Sequence, residues 1–385
     1  MLIRKTLVIS WFQNSALVKK LHLVSFNNPY PPDYGGVIDV YYKIIALREA
    51  GVSVILHVFE YNRPSSPELE KLCEKVYYYK RNTGLASQIS LLPFIVYSRK
   101  SKDLLKNLSA DEYPVLFEGI HSCFYLDHPL FKNKKKLVRT HNIEHQYYSF
   151  LAGSTLNPLN RLYYRIESLR LKRFEKRLGF ADHILAISES DAEYFRGIYG
   201  KTTLVSAFHP NTTISSSEGK GRYILMHGNL AVEENETAIL HCIRNIFNRI
   251  DFPVVIAGKN PTERLKAEIS VCKNIILSGN PDEAEMTRLQ HDAHIHVCYT
   301  FQASGLKLKL LNALYKGRFV VANPLMTKGT GLEGLVETGK NDGELLEIIK
   351  RLIPLSFETS VKTKRETELK FFGNEVNAAK ICKLI

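Results

Sequence analysis

The sequence of 385 residues lacks the motifs that usually mark metal and disulfide chemistry. It contains no Asp-x-Asp motif, and its six cysteines are scattered without a Cys-x-x-Cys pair or any other paired spacing. This distribution argues against a zinc site and a disulfide framework, and it favours a reducing compartment. The absence of Asp-x-Asp argues against a diphosphate held by a metal ion.

Long apolar runs are also absent. No run approaches the ~18 residues that a membrane-spanning helix needs. The apolar stretch at residues 6–12 is too short for a secretory signal, and no convincing cleavage site follows it. Residues 1–19 are therefore expected to be a leader extension outside the fold.

The composition is that of a soluble globular protein, with 45% hydrophobic and 24% charged residues. The length exceeds one ordinary core and predicts two or three domains. The net charge is +13, and the first 200 residues hold most of the excess, with 28 basic against 19 acidic residues. A basic N-terminal half predicts an anionic partner: membrane headgroups, a phosphorylated acceptor or nucleic acid.

Short apolar strands alternate with amphipathic helices in both halves, which predicts parallel sheets built from βαβ units. Strands are expected at residues 21–26, 52–59, 114–117, 136–140, 183–188, 223–227, 253–257, 275–278, 295–298 and 319–322. The longer helices are expected at residues 37–50, 159–178, 234–248, 261–271, 284–290 and 308–316.

A stretch rich in Pro, Ser and Gly predicts a linker at residues 209–221. It would separate an N-terminal, acceptor-side domain at 20–208 from a C-terminal domain at 222–368. Parallel sheets bind ligands at the carboxyl ends of their strands, so two such sheets predict a site in a cleft between them.

Glycines follow three predicted strands of the second half. Gly305 is expected to form a turn before a helix that begins with Lys307 and Lys309, and this helix start predicts a seat for a diphosphate. A surface helix with solvated lysines is the alternative. Gly228-Asn229 and Gly258-Lys259 also follow strands, and the recurrence at one sheet edge favours a phosphate or nucleotide-sugar cleft.

Polar residues follow predicted strands of the first half as well. Gly35-Gly36 open a helix after a proline-rich loop, where backbone amides can meet an anion; a plain turn is the alternative. His141, Asn142 and Glu144 follow the strand at 136–140, a position suited to contacting a sugar hydroxyl or moving a proton. The segment from Glu118 to His121 follows another strand and is expected to line the same cleft.

Two groups of histidines raise the question of a metal. His141 and His145 lie four residues apart and could share a metal ion on a helix, but no third ligand is apparent. His291, His294 and His296 cross from a helix end into an apolar strand, which favours structural histidines over ligands. No metal site is predicted.

A basic amphipathic segment at residues 161–177 has two interpretations. It is either a solvated helix face or a contact with a membrane surface. The apolar segment at residues 89–96 either dips toward lipid or belongs to the core.

In these motifs the chain resembles the glycosyltransferases of the GT-B fold, specifically the family 4-like group that uses nucleotide sugars with retention. The resemblance is carried by residues 29–36, 139–144, 181–191, 228–230, 257–261 and 305–321. It implies an α/β fold of two Rossmann-like, doubly wound domains that face each other across a cleft. It also implies a C-terminal helix, at residues 369–385, that returns to the first domain.

The resemblance implies roles for individual residues. His141 would lie beside the donor sugar and the acceptor hydroxyl, and Lys307 or Lys309 would neutralise the leaving group. The residues expected to bind the donor are Gly35, Gly36, Gly228, Asn229, Gly258, Lys259, Ser304, Gly305, Asn312, Thr330 and Gly331. The residues expected on the acceptor side are Glu118, His121, Asn142 and Glu144.

The chain departs from the family at two places. The two glutamates that the family usually spaces eight residues apart are replaced by Ser304 and Asn312. The basic pair that commonly follows the Gly228 loop is replaced by Asn229 and the acidic pair Glu233-Glu234. Lysines alone are left to supply positive charge to the diphosphate.

The activity implied is transfer of a hexose from a nucleotide diphosphate sugar to a hydroxyl of a glycan or lipid-linked acceptor, in surface polysaccharide biosynthesis. It would proceed with retention and without metal or cofactor, in the cytoplasm, with a peripheral contact at the inner face of the cell membrane and no nucleic acid partner. One alternative, a sugar-nucleotide epimerase of the same fold, needs paired acid/base carboxylates that the sequence does not reveal. The other, a non-enzymatic protein that binds an anionic surface, lacks aromatic residues interleaved with basic ones.

Overall fold

The structure, a computed structural model, describes residues 19–155, 157–302 and 307–385. These residues form two compact units. The first, or N-terminal unit, takes in the described residues up to Ala186, together with Phe195–His209 and Asn374–Ile385. The second, or C-terminal unit, takes in Ile187–Tyr194 and Pro210–Gly373.

The N-terminal unit contains a seven-stranded, wholly parallel sheet in the order β3-β2-β1-β4-β5-β6-β7. Its strands are β1 (Lys19–Ser25), β2 (Val52–Glu60), β3 (Lys75–Lys80), β4 (Val115–Glu118), β5 (Lys136–Arg139), β6 (His183–Ala186) and β7 (Thr202–Leu204). Lys19 is thus a strand residue, and the rest of the leader expected at 1–19 lies outside the described residues.

The C-terminal unit contains a six-stranded parallel sheet in the order β10-β9-β8-β11-β12-β13. Its strands are β8 (Tyr223–His227), β9 (Val254–Gly258), β10 (Ile275–Gly279), β11 (Ala293–Cys298), β12 (Phe319–Ala322) and β13 (Glu337–Thr338).

Helices connect the parallel strands, as a parallel sheet requires. The α-helices are α1 (Gly35–Glu49), α2 (Pro67–Leu72), α3 (Leu85–Gln88), α4 (Phe94–Tyr97), α5 (Lys102–Leu108), α6 (Glu144–Ser154), α7 (Pro158–Glu175), α8 (Glu189–Tyr199), α9 (Glu233–Asn245), α10 (Glu263–Ser270), α11 (Glu283–Asp292), α12 (Leu308–Lys316), α13 (Pro324–Thr327), α14 (Asp342–Leu352), α15 (Thr359–Glu368) and α16 (Asn374–Cys382). Short 3-10 helices lie at Ile120–Tyr125, Pro129–Phe131, Lys176–Phe180, Phe247–Arg249, Glu333–Leu335 and Leu369–Phe372.

The expected α/β class with two parallel sheets is confirmed, and all ten predicted strands are present. Three strands were not predicted: β3, β7 and β13. Each lies at the edge of its sheet, where only one neighbour covers it. An edge strand needs no continuous apolar run, and β3 reads Lys-Val-Tyr-Tyr-Tyr-Lys, so the pattern that marks central strands is absent from it.

Each sheet supplies its own core. In the N-terminal unit, Leu23 of β1 and Leu116 of β4 are completely buried. In the C-terminal unit, Ile224 of β8 and Ile256 of β9 are buried in the same way. Among the described residues, no helix is both long and apolar enough to cross a membrane.

The parallel order brings the residues that follow four of the strands to one edge of the N-terminal sheet. Carboxyl ends of parallel strands share an edge, and ligands of such sheets bind there. Phe26 follows β1, Arg81 follows β3, Gly119 follows β4 and His141 lies two residues beyond β5. This edge is where a site is expected in the N-terminal unit.

Candidate active site

A buried ion network lies at the carboxyl edge of the N-terminal sheet. Asp39 and Lys43 lie one turn apart on the inner face of α1, and Glu118 is the last residue of β4. The ammonium of Lys43 contacts Asp39 Oδ2 at 2.8 Å and the two carboxylate oxygens of Glu118 at 2.7 and 2.9 Å. All three side chains are buried from solvent. Without each other, these charges would be too costly to bury.

Arg139, the last residue of β5, completes the network. Its guanidinium binds Asp39 through Nε at 3.2 Å and NH2 at 3.1 Å, a bidentate pair. Its remaining N–H groups donate to backbone carbonyls, including that of Ser206 at 3.1 Å. Two carboxylates therefore meet two cations in one buried cluster.

The cations keep both acids ionised. Burial alone would raise the pKa of Asp39, but Arg139 and Lys43 outweigh it and hold the pKa below its usual value. Burial likewise opposes ionisation of Glu118, and Lys43 with His141 outweigh it, so the pKa of Glu118 is also lowered.

His141 is oriented by this cluster. Its Nε2 lies 3.1 Å from Glu118 Oε2, and its ring packs edge-on against Phe26 with the centroids 5.5 Å apart. An ionised carboxylate accepts hydrogen bonds only, so Nε2 carries the proton and donates. In the neutral form of the ring Nδ1 is then the lone-pair nitrogen, and it binds no other described residue. It can accept a hydrogen bond from a sugar hydroxyl.

The other residues predicted on the acceptor side differ in placement. Glu118 is fully buried, so it acts on a ligand only through His141. His121 also packs against Phe26, with ring centroids 5.4 Å apart. Asn142 Nδ2 donates to Glu144 Oε1 at 3.4 Å. His121, His141 and Phe26 thus lie together, whereas Glu144 is mostly buried.

The pair Gly35-Gly36 lies at the start of α1, and no side chain caps this helix. A Cβ on Gly36 would come within 2.7 Å of the Phe26 ring. The absence of a side chain therefore lets Phe26 pack beside the helix start. That requirement exists without any ligand, and binding of a diphosphate here remains a prediction.

Asp39, Glu118 and His141 have ligand atoms within 4.8 Å of one another, close enough for one metal ion. The donor set does not favour a cation, because Lys43 and Arg139 already neutralise both carboxylates. His145 is not part of this group: its Nδ1 pairs with Glu175 Oε2 at 3.0 Å. The structure therefore does not bring His141 and His145 together around one metal.

The three histidines of the second half that were expected to be structural contact the surrounding protein. His294 binds the carbonyl of Leu352 at 3.0 Å, and His296 binds that of Gln290 at 2.8 Å. His291 lies 3.5 Å from the hydroxyl of Ser215. These contacts agree with the structural interpretation.

In the C-terminal unit, a lysine lies against the turn that follows β8. A Cβ on Gly228 would lie 3.1 Å from Lys309 Nζ and 3.4 Å from Asn235, so this glycine makes room for the ammonium. Lys309 donates to Asn235 Oδ1, and Asn235 Nδ2 donates to the carbonyl of Asn229 at 2.9 Å. Burial lowers the pKa of Lys309. The turn after β8 thus lies in contact with the ammonium of Lys309 at the start of α12.

Lys307 precedes α12 by one residue. Its ammonium donates to the carbonyl of Gln302 at 2.9 Å, and burial lowers its pKa to about 8 although Glu234 opposes the shift. The Glu234 carboxylate accepts a hydrogen bond from Thr300 at 2.6 Å. Both lysines are therefore held in place before any ligand arrives.

The remaining donor-side predictions have separate surroundings. Gly258 is needed for packing, because a Cβ there would lie 1.7 Å from the carbonyl oxygen of Gly228. Lys259 is exposed, and Asn312 Oδ1 accepts from Asn211 at 2.7 Å. The hydroxyl of Thr330 donates to the carbonyl of Thr327 at 2.6 Å.

Gly331 has a φ of +74°, which suits its turn. Ser304 and Gly305 lie outside the described residues. Their proposed contact with a diphosphate stays a prediction.

Sequence reasoning missed the residues that organise the site. Asp39, Lys43 and Arg139 were not singled out, although Asp39 and Lys43 share a helix face with apolar Val40 and Ile44. Opposite charges four residues apart on an apolar face are the signal that could have found them. Asn235 carried no comparable signal.

Comparison with known proteins supports an assignment at this point. Residues 221–354 match the family model described as Glycosyl transferases group 1. A Klebsiella pneumoniae protein, described as an uncharacterized 44.6 kDa protein in the cps region, is 28% identical over 331 residues, which are 81% of this chain and 84% of that protein.

Solved structures share the fold at low sequence identity. Anabaena HepE in complex with UDP and glucose has a TM-score of 0.63 and 12% identity, covering 95% of this chain and 98% of HepE. A mutant of S. aureus TarM in complex with fondaparinux, α-GlcNAc-glycerol and UDP has a TM-score of 0.65 and 10% identity, covering 95% and 99%. The N-terminal domain of Candida albicans trehalose-6-phosphate phosphatase has a TM-score of 0.63 and 11% identity, covering 96% and 97%.

The fold is that of the GT-B glycosyltransferases, as expected. Residues 221–354 form a group 1 glycosyltransferase domain, and the protein is a glycosyltransferase. The fold and the enzyme class predicted from the sequence are both confirmed.

Proposed function

We propose that this glycosyltransferase moves a hexose from a nucleotide diphosphate sugar to a hydroxyl of a glycan or lipid-linked acceptor, with retention at the anomeric carbon. The observation that carries the proposal is the placement of Lys309 beside Gly228, with Lys307 at the start of the same helix. This arrangement lies within the matched group 1 domain. It offers fixed positive charge beside a glycine turn, where a diphosphate would sit.

The lysines supply what the leaving group needs. The bond between sugar and diphosphate breaks with negative charge developing on the phosphate oxygens, and positioned cations stabilise that charge best in a site that excludes water. Lys309 is held by Asn235 and Lys307 by the Gln302 carbonyl, so little reorganisation is required. We expect no metal ion in this step, because the lysines and the helix start provide the charge.

His141 is assigned to the acceptor and the donor sugar. With Nε2 bound to Glu118, its Nδ1 can accept a hydrogen bond from a hydroxyl. We expect a donor phosphate oxygen to take the acceptor proton, since no free carboxylate base lies beside His141 among the residues that the structure describes. Glu118, the carboxylate in contact, is already bound by Lys43 and His141.

The process is expected to be surface polysaccharide assembly. The K. pneumoniae relative in a cps region supports that assignment. HepE and TarM were crystallised with UDP, which makes UDP the first nucleotide to test.

The test of the donor site is calorimetric titration of the full chain with UDP, GDP and ADP, with and without EDTA. Binding of one nucleotide that persists in EDTA supports the proposal. If folded protein binds none of the three, the assignment is wrong; if EDTA abolishes binding, only the metal-free step is wrong.

A further part of the proposal is a peripheral contact with an anionic membrane surface. Five highly exposed apolar side chains lie on α3, on α7 and in the segment before α4, and we refer to them together as the leucine patch: Leu85, Ile89, Leu91, Leu159 and Leu169. Leu91 is 86% exposed, and Arg170 of α7 donates to the carbonyl of Gln88 at 3.3 Å, which brings α7 beside this segment. Basic residues accompany these side chains along α7, a combination that suits anionic lipid headgroups.

Vesicle sedimentation tests the contact. The wild type should bind phosphatidylglycerol vesicles, bind phosphatidylcholine vesicles less, and lose binding when Leu91→Glu and Leu169→Glu are combined. Val271→Glu is the control, because Val271 is 80% exposed in the C-terminal unit. Equal binding by the double variant and the control would contradict the proposed surface.

A further inference from the structure

Two arginines at the carboxyl edge of the N-terminal sheet form no ion pair with the acidic residues that the structure describes. Arg81 follows β3 and Arg99 lies two residues beyond α4. Each donates to uncharged oxygens, and no carboxylate of the described residues forms an ion pair with either. Resting on the proposed glycosyl transfer, we propose that Arg81 and Arg99 bind a phosphate group of a lipid-linked acceptor.

The side chain of Arg81 is restrained by its neighbours. Its guanidinium lies over the ring of Tyr61 at 4.6 Å and that of Phe94 at 5.2 Å, and Nε donates to the Ser98 hydroxyl at 3.0 Å. Neither terminal nitrogen, NH1 or NH2, binds a described residue. The two rings and the hydrogen bond from Nε restrain this guanidinium, and its two remaining donor groups can make a bidentate contact with a phosphate.

Arg99 is held more deeply. Its Nε donates to the carbonyl of Phe26 at 2.8 Å, and NH1 donates to that of Ile95. Arg99 is only 4% exposed to solvent. Burial lowers the pKa of Arg99 to about 9, and the positive charge of Arg81 adds to the shift. A buried cation that feels a second cation is costly unless an anion joins them.

The surroundings of the arginines are aromatic. Tyr34 and Tyr148 lie within electrostatic range of both guanidinium groups, and Tyr163 lies within range of Arg81. Tyrosine hydroxyls can donate to phosphate oxygens, whereas a carboxylate in their place would compete with a phosphate. Glu167 lies near Tyr148 and Tyr163 but is paired with Arg170, so it leaves Arg81 and Arg99 to an added anion.

The pair adjoins the predicted acceptor hydroxyl. Arg99 binds the backbone of Phe26, and the Phe26 ring packs against both His121 and His141. A phosphate at the arginines would therefore lie near the sugar whose hydroxyl meets His141. No contact of the donor site in the C-terminal unit is needed for this binding.

Arg81 is also connected, through Phe94, to the helix α7 that carries part of the leucine patch. Phe94, which stacks on Arg81, begins α4, and its backbone N–H donates to Glu167 of α7 at 2.7 Å. Positive charge thus lies between exposed apolar side chains and His141. This order matches an amphiphile whose phosphate joins a lipid tail to a sugar, and it favours such a phosphate over the carboxylate of an acidic glycan.

Binding of simple amphiphiles to the full chain tests the proposal. The probes are dodecyl phosphate below its micelle concentration, dodecyl maltoside as the uncharged match, inorganic phosphate and glucuronate, measured by calorimetry. Dodecyl phosphate should bind most tightly, and Arg81→Gln should weaken it roughly tenfold or more, since a charged bidentate contact is lost. UDP affinity should not change.

Arg63→Gln is the matched control. Arg63 also packs on Tyr34, with its guanidinium 5.1 Å from the ring centroid, but it has an acidic partner in Asp33. It should leave dodecyl phosphate binding unchanged. Arg99→Lys, which keeps the charge, provides a second variant with an expected loss of several-fold.

Three outcomes would overturn the proposal. One is equal binding of dodecyl phosphate by the wild type and Arg81→Gln. Another is equal binding of dodecyl phosphate and dodecyl maltoside. The third is preference for glucuronate, which would replace the lipid phosphate by a glycan carboxylate. Failure of the folded wild type to bind any of UDP, GDP and ADP would instead refute the proposed function, so the two failures are distinguishable.

Discussion

The buried carboxylate of Glu118 contacts the imidazole of His141, with Oε2 3.1 Å from Nε2. Lys43 binds the same carboxylate from behind. The pair therefore fixes the ring and its proton while Nδ1 faces no protein partner among the described residues. Residues of the buried cluster thus act through one histidine at the edge of the sheet.

Replacing this histidine should slow the reaction without removing the donor site. His141→Ala is expected to lower kcat/KM roughly 10²-fold or more, because a positioned hydrogen-bonding group near the reacting hydroxyl is lost. Initial rates over a range of acceptor concentrations measure the effect, and UDP affinity should stay constant. His145→Ala is the control, since His145 pairs with Glu175 instead. Equal rates for both variants would contradict the role of His141.

The lysines at the start of α12 should control turnover. Lys309→Met and Lys307→Met keep most of the side-chain stem but remove the charge, and each is expected to reduce kcat well beyond tenfold because leaving-group charge is less stabilised. Single-turnover rates at saturating donor give the comparison. Lys316→Met, in the last turn of the same helix, should change kcat little. Near-normal rates in both test variants would exclude the assignment.

Breaking the buried ion network should destabilise the fold. Lys43→Met leaves the carboxylates of Asp39 and Glu118 with one cation fewer, which should cost about 3–5 kcal/mol. Lys43→Met combined with Glu118→Gln should lose less than Lys43→Met alone, because the uncompensated charge is gone. Urea unfolding of each variant, followed by circular dichroism, measures the differences. Lys20→Met, which breaks an exposed pair with Glu74, should leave the unfolding curve nearly unchanged.

The C-terminal unit should lose stability in mild acid. Burial lowers the pKa of His227 to about 3 and that of His296 to about 4, below the usual 6.5. The unfolded chain then binds more protons than the folded chain, so the stability present above pH 6.5 is lost as the pH falls toward these values. Between pH 7.5 and pH 5 each histidine should account for about 2 kcal/mol.

Urea unfolding at several pH values measures this loss. His227→Phe should flatten the dependence, because Nε2 of His227 has no hydrogen-bond partner in the described structure and its replacement costs no bond. The same slope in the wild type and the variant would show that His227 does not titrate in this way.

Central strands and long helices were predictable because their apolar runs are continuous. The strand expected at residues 223–227 coincides with β8, and the helix expected at 308–316 coincides with α12. Edge strands such as β3 escaped, because tyrosines and terminal lysines hide the pattern that burial on both faces imposes. The local sequence pattern thus predicted the central strands and the helices better than the edge strands.

The candidate site was less predictable, because its key contacts join residues far apart in sequence. Arg139 lies 100 residues from its partner Asp39, and no local pattern indicates that pairing. Gly258 was expected to face a ligand, yet its missing side chain is explained by the Gly228 carbonyl that packs on it. Lys309 was identified correctly as a helix-start lysine, but its contact with Gly228 required the folded chain.

Charge balance inside the N-terminal unit limits how this enzyme can diverge. The pairs Asp39–Arg139 and Glu118–Lys43 are buried from water. Replacing one charged member of a pair by a neutral residue therefore leaves the opposite charge buried without its partner. Homologues should accordingly keep both residues of a pair or replace both. A library that randomises one of these residues at a time should recover mainly the parental residue.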